Sequence, residues 1–167
     1  MILTYIFTAV IVLISLLVQS HPSFDVIRIA GVKPDLIFII VVYVGYSFGS
    51  IPGQVTGFAG GLFQDAVSNS PYGFLALPKL AVGFIVGMIG RSVLKSNVPT
   101  IILIIFISTL LKGIVTLFIS YIFTQGMLSS IIHVIIPESF YNALLAPPLF
   151  FLYDKIFSRE LEREGYL

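Results

Sequence analysis

The sequence predicts an all-α polytopic membrane protein of about six transmembrane helices, and three observations carry that prediction. The 167 residues are 57% hydrophobic and 10% charged, with a mean hydropathy of +1.07. A soluble domain carries about 25% charged residues. Six apolar segments recur along the chain, and about 20 helical residues cross a hydrocarbon core of about 30 Å. Lys and Arg gather between and after these segments in a pattern that suits an even number of crossings. The same composition excludes a soluble enzyme, an extracellular disulfide scaffold and a nucleic-acid binder. Net charge is only +1 with no basic patch, and cysteine is absent, so there are no disulfides or thiolate metal sites.

The first segment, 2–19, is apolar from Met1 to Val18. No Lys or Arg precedes it, and Gln19-Ser20-His21-Pro22 follows instead of a small-x-small cleavage site. It therefore reads as a retained helix, not a secretory signal. Segments 35–50 and 53–67 are short, at about 24 and about 22 Å of helical rise. They are parted by Ile51-Pro52. Pro52 offers no N–H and disfavours the helical region for Ile51. The pair reads either as two short spans joined by a tight turn or as a broken hairpin buried by its neighbours. Segments 72–92, 98–123 and 137–157 are long enough to cross, and Pro147-Pro148 predicts a kink in the last. With no linker or repeat, residues 1–157 read as one membrane domain. In the tail, 158–167, Arg159 and Arg163 continue a four-residue spacing from Lys155, with Glu160 and Glu164 on a neighbouring stripe. That pattern predicts a short solvated helix, open to a cytoplasmic partner.

Orientation follows from the basic residues. With six spans, Arg91, Lys95, Lys155, Arg159 and Arg163 share one side, and Arg28 and Lys33 lie on the other. Both termini are then cytoplasmic.

Glycine recurs every four residues at Gly45, Gly49, Gly53, Gly57 and Gly61, and again at Gly83 and Gly87. Close backbone approach drives helix association in lipid. Gly53, Gly57, Gly61, Gly83 and Gly87 thus serve either the packing of segments three and four or a groove for another protein's helix. Asp65, Lys79 and Lys112 interrupt apolar segments, where a central charge costs about 2.5–3.5 kcal/mol. Depth arithmetic brings these three to one level in the outer half, within about 3 Å. Asp35 and Glu138 sit somewhat above, and Asn142 lies one turn below Glu138, placed to hydrogen-bond across helices. The set is read as a lock on helix packing, as a polar cavity, or as lysines snorkelling outward. Asp65 and Lys79, on helices joined by a short turn, form the expected pair. His21 and His133 are isolated, so no metal site is expected. No cofactor motif or catalytic constellation is present.

Several runs resemble one family. Gly31-Val32-Lys33-Pro34-Asp35-Leu36 resembles the Pro-Asp-Leu entry of the rod-shape-determining MreD family. Gly57-Phe58-Ala59-Gly60-Gly61-Leu62-Phe63-Gln64-Asp65 is similar to its glycine-rich run ending in Asp. Gly73 with Ala76-Leu77, and Tyr141-Asn142-Ala143-Leu144-Leu145-Ala146-Pro147, fit as well. The resemblance implies a non-enzymatic subunit of the bacterial cell-elongation complex in the inner membrane. Its implied partners are MreC, the SEDS glycan polymerase, a penicillin-binding transpeptidase and the actin-like filament protein. It further implies a fold like the substrate-binding subunits of energy-coupling-factor vitamin transporters. Those carry Ala-x-x-x-Ala on the first span, where this chain has Ala9 followed by Leu13. Two functions are therefore expected. One is a scaffold for a partner's helix, with Phe24, Ile27, Ile29 and Val32 of loop 21–35 as an outer apolar surface. The alternative is a small-molecule-binding transporter subunit with a pocket lined by the charged cluster.

Overall fold

The computed structural model describes residues 2–28, 31–93, 97–123 and 128–163. Ile29, Lys95 and Glu164 of the sequence reading lie outside these residues, as does the side chain of Arg91. Every described element is helical. They are α1 (Ile2–Ser20), a 3-10 helix (Pro22–Ile27), α2 (Leu36–Phe48), α3 (Ser50–Ser68), α4 (Ala76–Val93), α5 (Val98–Phe123), α6 (Leu128–Ile156) and α7 (Ser158–Arg163).

α2 is the central pillar. It has 13 residues and contacts α1, α3, α4, α5 and α6. Its side chains from Ile37 to Tyr43 are fully shielded, which suits a sequence apolar on every face. In its C-terminal half Tyr43 gathers an aromatic cluster, with ring centroids 5.1 Å from Phe150, 5.2 Å from Tyr153 and 5.7 Å from Phe157. The Tyr43 hydroxyl donates to Asp154 Oδ1 at 3.0 Å, so the buried phenol is satisfied. The outer surface stays apolar: Leu17 and Leu144 are each 72% exposed and Phe151 is 77% exposed. By length and composition α5 and α6 can each cross a membrane, over Val98–Ile122 and His133–Ile156.

Four local expectations need correcting. The chain turns between α2 and α3 at Gly49, not at Ile51-Pro52. Gly49 has φ 96°, a conformation open to glycine, and its N–H donates to the Gly45 carbonyl at 2.9 Å. Pro52 lies in the first turn of α3, where its missing N–H has no intrahelical acceptor to lose. α4 begins at Ala76, not residue 72, because residues 72–75 form a turn. α6 continues in helical conformation through Pro137, Pro147 and Pro148 and begins nine residues before the expected 137. Finally, α7 is not solvated all round. Leu161 is fully buried against the core that holds Phe157, and Glu160 is buried beside it.

Candidate functional site

The site is built on the first residue before α2. Asp35 caps that helix, its Oδ1 accepting from the Phe38 N–H at 3.0 Å. Its Oδ2 meets Lys79 of α4 at 2.7 Å and Lys112 of α5 at 3.1 Å. Lys112 also pairs with Glu138 of α6 and stands 4.7 Å over the Phe38 ring. The Asp35 backbone N–H donates to Asn142 Oδ1 of α6 at 2.9 Å, and the Asn142 amide reaches Thr109 of α5 at 3.4 Å. One residue thus ties α2 to α4, α5 and α6. Lys79 and Asp35 are almost wholly buried, and two carboxylates balance two lysines. A buried charge left alone would be costly, so these four must stay together.

The sequence expectation placed Asp35 and Glu138 above the lysines and paired Asp65 with Lys79. The structure brings Asp35, Lys79, Lys112, Glu138 and Asn142 together and sets Asp65 apart. α2 is only about 20 Å long, so its N-terminal end stops inside the bundle and carries Asp35 to the lysines. Asp65 is fully buried at the end of α3 and has a different task. Its carboxylate accepts from the backbone N–H groups of Gly73 and Leu75, both at 2.9 Å, and of Ala76 at 3.4 Å. It thereby holds the turn into α4 and supplies negative charge at that helix's N-terminus. α3 itself ends on Asn69, in the left-handed region at φ 52°.

Above the charged group lies a cavity of about 630 Å³. Lys33, Asp35, Lys112 and Glu138 line it together with the C-terminal ends of α1 and α3 and the facing turns of α5 and α6. The polar wall groups Gln19, Gln64, Ser68 and Thr116 were missed from sequence. Gln19 and Gln64 each interrupt the C-terminal end of an apolar helix, a signal the same depth arithmetic could have used. The Gln19 oxygen accepts from the Leu36 N–H at 2.5 Å and the Ile37 N–H at 3.1 Å, which ties α1 to the start of α2 and turns the Gln19 amide nitrogen toward Gln64.

The five glycines face inward. A Cβ on Gly57 would fall onto the Lys79 backbone carbonyl, one on Gly61 onto the Ala76 backbone, and one on Gly53 onto the Gly83 carbonyl. A Cβ on Gly83 would strike Gly53, and one on Gly87 would strike Ser50. Gly45 of α2 joins the same contact, its added Cβ 2.7 Å from the Gly83 carbonyl. These glycines are occupied by α3–α4 and α2–α4 packing, which closes them to a second protein's helix. On loop 21–35, Val32 is buried and so cannot serve as an outer apolar. Phe24 is half-buried, with Lys33 5.9 Å over its ring, and Ile27 stays exposed. Val26, overlooked from sequence, is 85% exposed. The Tyr141 hydroxyl anchors this loop to α6 through the Ile27 carbonyl at 2.6 Å. His21 accepts from the Ser23 N–H at 3.2 Å, and His133 is exposed. Among the described residues no group of three His, Cys, Asp or Glu is placed to hold a metal ion.

Comparison with curated proteins and with solved structures gives no match. The implied likeness to energy-coupling-factor subunits therefore has no solved structure behind it. One family model, described as rod shape-determining protein MreD, matches residues 1–159 of the 167. The match takes in all six long helices and each residue of the charged group, and the chain belongs to the MreD family of rod-shape-determining membrane proteins.

Proposed function

We propose that this protein is a non-enzymatic scaffold of the bacterial cell-elongation complex, binding MreC and supporting lateral peptidoglycan synthesis. The family match over residues 1–159 carries this reading. The geometry supports it. Glycine contacts and the Asp35-centred charges hold α2 to α6 in one arrangement, as a positioning subunit requires.

In this reading α1 to α6 are six spans of the inner membrane, with both termini cytoplasmic. α2 need not match the full bilayer because protein surrounds it. Loop 21–35, anchored by Tyr141, and the apolar outer faces are what remain for MreC, since the glycines are closed. The SEDS polymerase, the penicillin-binding transpeptidase and the actin-like filament protein are further partners within the same complex. Depleting the protein from its own rod-shaped host tests the reading. Cells should round up and lose labelling of new wall along their flanks. Cells that keep rod shape and flank labelling would remove it.

The cavity favours one alternative, a small-molecule-binding subunit of a transporter. The absence of an Ala-x-x-x-Ala motif on α1, where Ala9 is followed by Leu13, counts against it.

A further inference from the structure

The cavity at the N-terminal end of α2 has the volume of a small-molecule site, about 630 Å³ against a usual range of about 300–1,000 Å³. Its place along the helices matters as much as its size. Gln19 and Ser20 line it from the last turn of α1, and Val67 and Ser68 from the last turn of α3. Helix ends in a membrane bundle lie near the level of the lipid headgroups. Val67 and Val134 also line the cavity, and both are exposed on the surface of the bundle. The cavity therefore meets the buried charges on one side and the apolar exterior, where acyl chains pack, on the other.

The chemistry of an occupant follows from which groups are already taken. Asp35 is closed to a ligand, its Oδ1 accepting from the Phe38 N–H and its Oδ2 from Lys79 and Lys112. The Gln19 oxygen is used by the Leu36 and Ile37 N–H groups. Glu138 is different. Lys112 holds its Oε1, and no described group donates to its Oε2. The Glu138 side chain keeps 15% of its surface and lines the cavity. A carboxylate oxygen only accepts, so it calls for a donor on the occupant, and an ionised donor gives the stronger bond. Lys33 lines the same cavity, 5.9 Å from the centre of the Phe24 ring. Its ammonium carries three donors and suits a phosphate. A molecule that offers an ammonium to Glu138, a phosphate to Lys33 and an apolar body to Val67 and Val134 is an aminophospholipid.

We propose that this cavity holds the headgroup of a phospholipid ending in a primary ammonium, with the ammonium on Glu138 Oε2, the phosphate on Lys33 and the chains along the apolar surface at Val67 and Val134. The inference stands apart from MreC binding, and either can fail without the other.

Three probes separate the parts of this claim. Dioleoylphosphatidylethanolamine and dioleoylphosphatidylcholine share chains and net charge, but only the first has nitrogen-bound hydrogens to donate. Glycerophosphoethanolamine carries the donor headgroup without chains. Thermal unfolding of the purified full chain in detergent micelles is followed against the concentration of each. The ethanolamine lipid should raise the midpoint saturably, and the choline lipid and the soluble headgroup should each bind at least about tenfold more weakly. Lys33→Gln should lose about tenfold in affinity for the ethanolamine lipid. Ser68→Phe, which narrows the cavity from an exposed position, should lose as much while keeping the unliganded midpoint. No saturable response to the ethanolamine lipid, equal binding of the choline lipid, binding of the soluble headgroup as tight as that of the lipid, or unchanged affinity in either variant would overturn the proposal.

Discussion

Asp35 does three jobs with one carboxylate, and each has a measurable consequence. It caps α2, neutralises Lys79 and shares Lys112 with Glu138. Asp35→Asn leaves Lys79 buried with no counter-charge, and breaking such a pair typically costs about 3–5 kcal/mol. Adding Lys79→Met removes the orphaned charge and leaves the balanced Lys112–Glu138 pair. Equilibrium unfolding in mixed micelles should show the single variant strongly destabilised and the double variant partly restored. Lys112→Met in place of Lys79→Met should give no rescue, because Glu138 then loses its partner as well. Strictly additive losses would contradict the pairing. Asp65→Asn is predicted to behave differently. It weakens backbone hydrogen bonds at the turn into α4, a loss of about 1–3 kcal/mol, and Lys79→Met should not rescue it. The residue types and the shared depth of Lys79 and Lys112 were legible in the sequence, since an interrupting charge in an apolar run is conspicuous. The partners were not. They depend on where α2 begins, and a two-residue shift there moves Asp35 by about 3 Å.

At the scale of helices, the apolar segments and their order were legible from hydropathy, while their ends were set by capping chemistry that hydropathy does not see. Gly49 turns the chain with a positive φ, and Asp65 delays α4 to Ala76 by holding the preceding turn. α6 runs through Pro137, because a proline inside a packed helix forfeits one hydrogen bond without ending it. The glycine spacing correctly pointed to close approach, but spacing alone does not say which surface is approached. The structure resolves that α3 has two unlike faces. Gly57 abuts the Lys79 backbone, whereas Ala59 is exposed on the open side. Gly57→Ala should therefore destabilise by about 1–3 kcal/mol, since backbone is what must move. Ala59→Leu should change stability by less than about 0.5 kcal/mol despite its larger volume. Comparable losses for both variants, measured by the same unfolding assay, would mean that α3 and α4 are not packed through this face.

For the whole molecule, the orientation in the membrane is open to direct test. The chain has no cysteine, so single introduced cysteines report topology without background. Ser23→Cys, in the short 3-10 helix, should react with a membrane-impermeant maleimide on spheroplasts, and Arg159→Cys in α7 should react only after lysis. The reverse pattern would invert the orientation and move the cavity to the cytoplasmic side. Family membership was legible from ordered short motifs, because runs such as Gly57 to Asp65 combine a packing constraint with a capping one. The cavity's polar walls were less legible, since single glutamines at helix ends look like ordinary interfacial residues. The central claim is that this bundle is a scaffold for MreC, and co-purification tests it most directly. The protein, expressed with MreC from the same bacterium and purified in mild detergent through a tag on its own C-terminus, should retain MreC at a constant ratio through size exclusion. MreC eluting alone while the tagged protein stays monodisperse and folded would contradict the account.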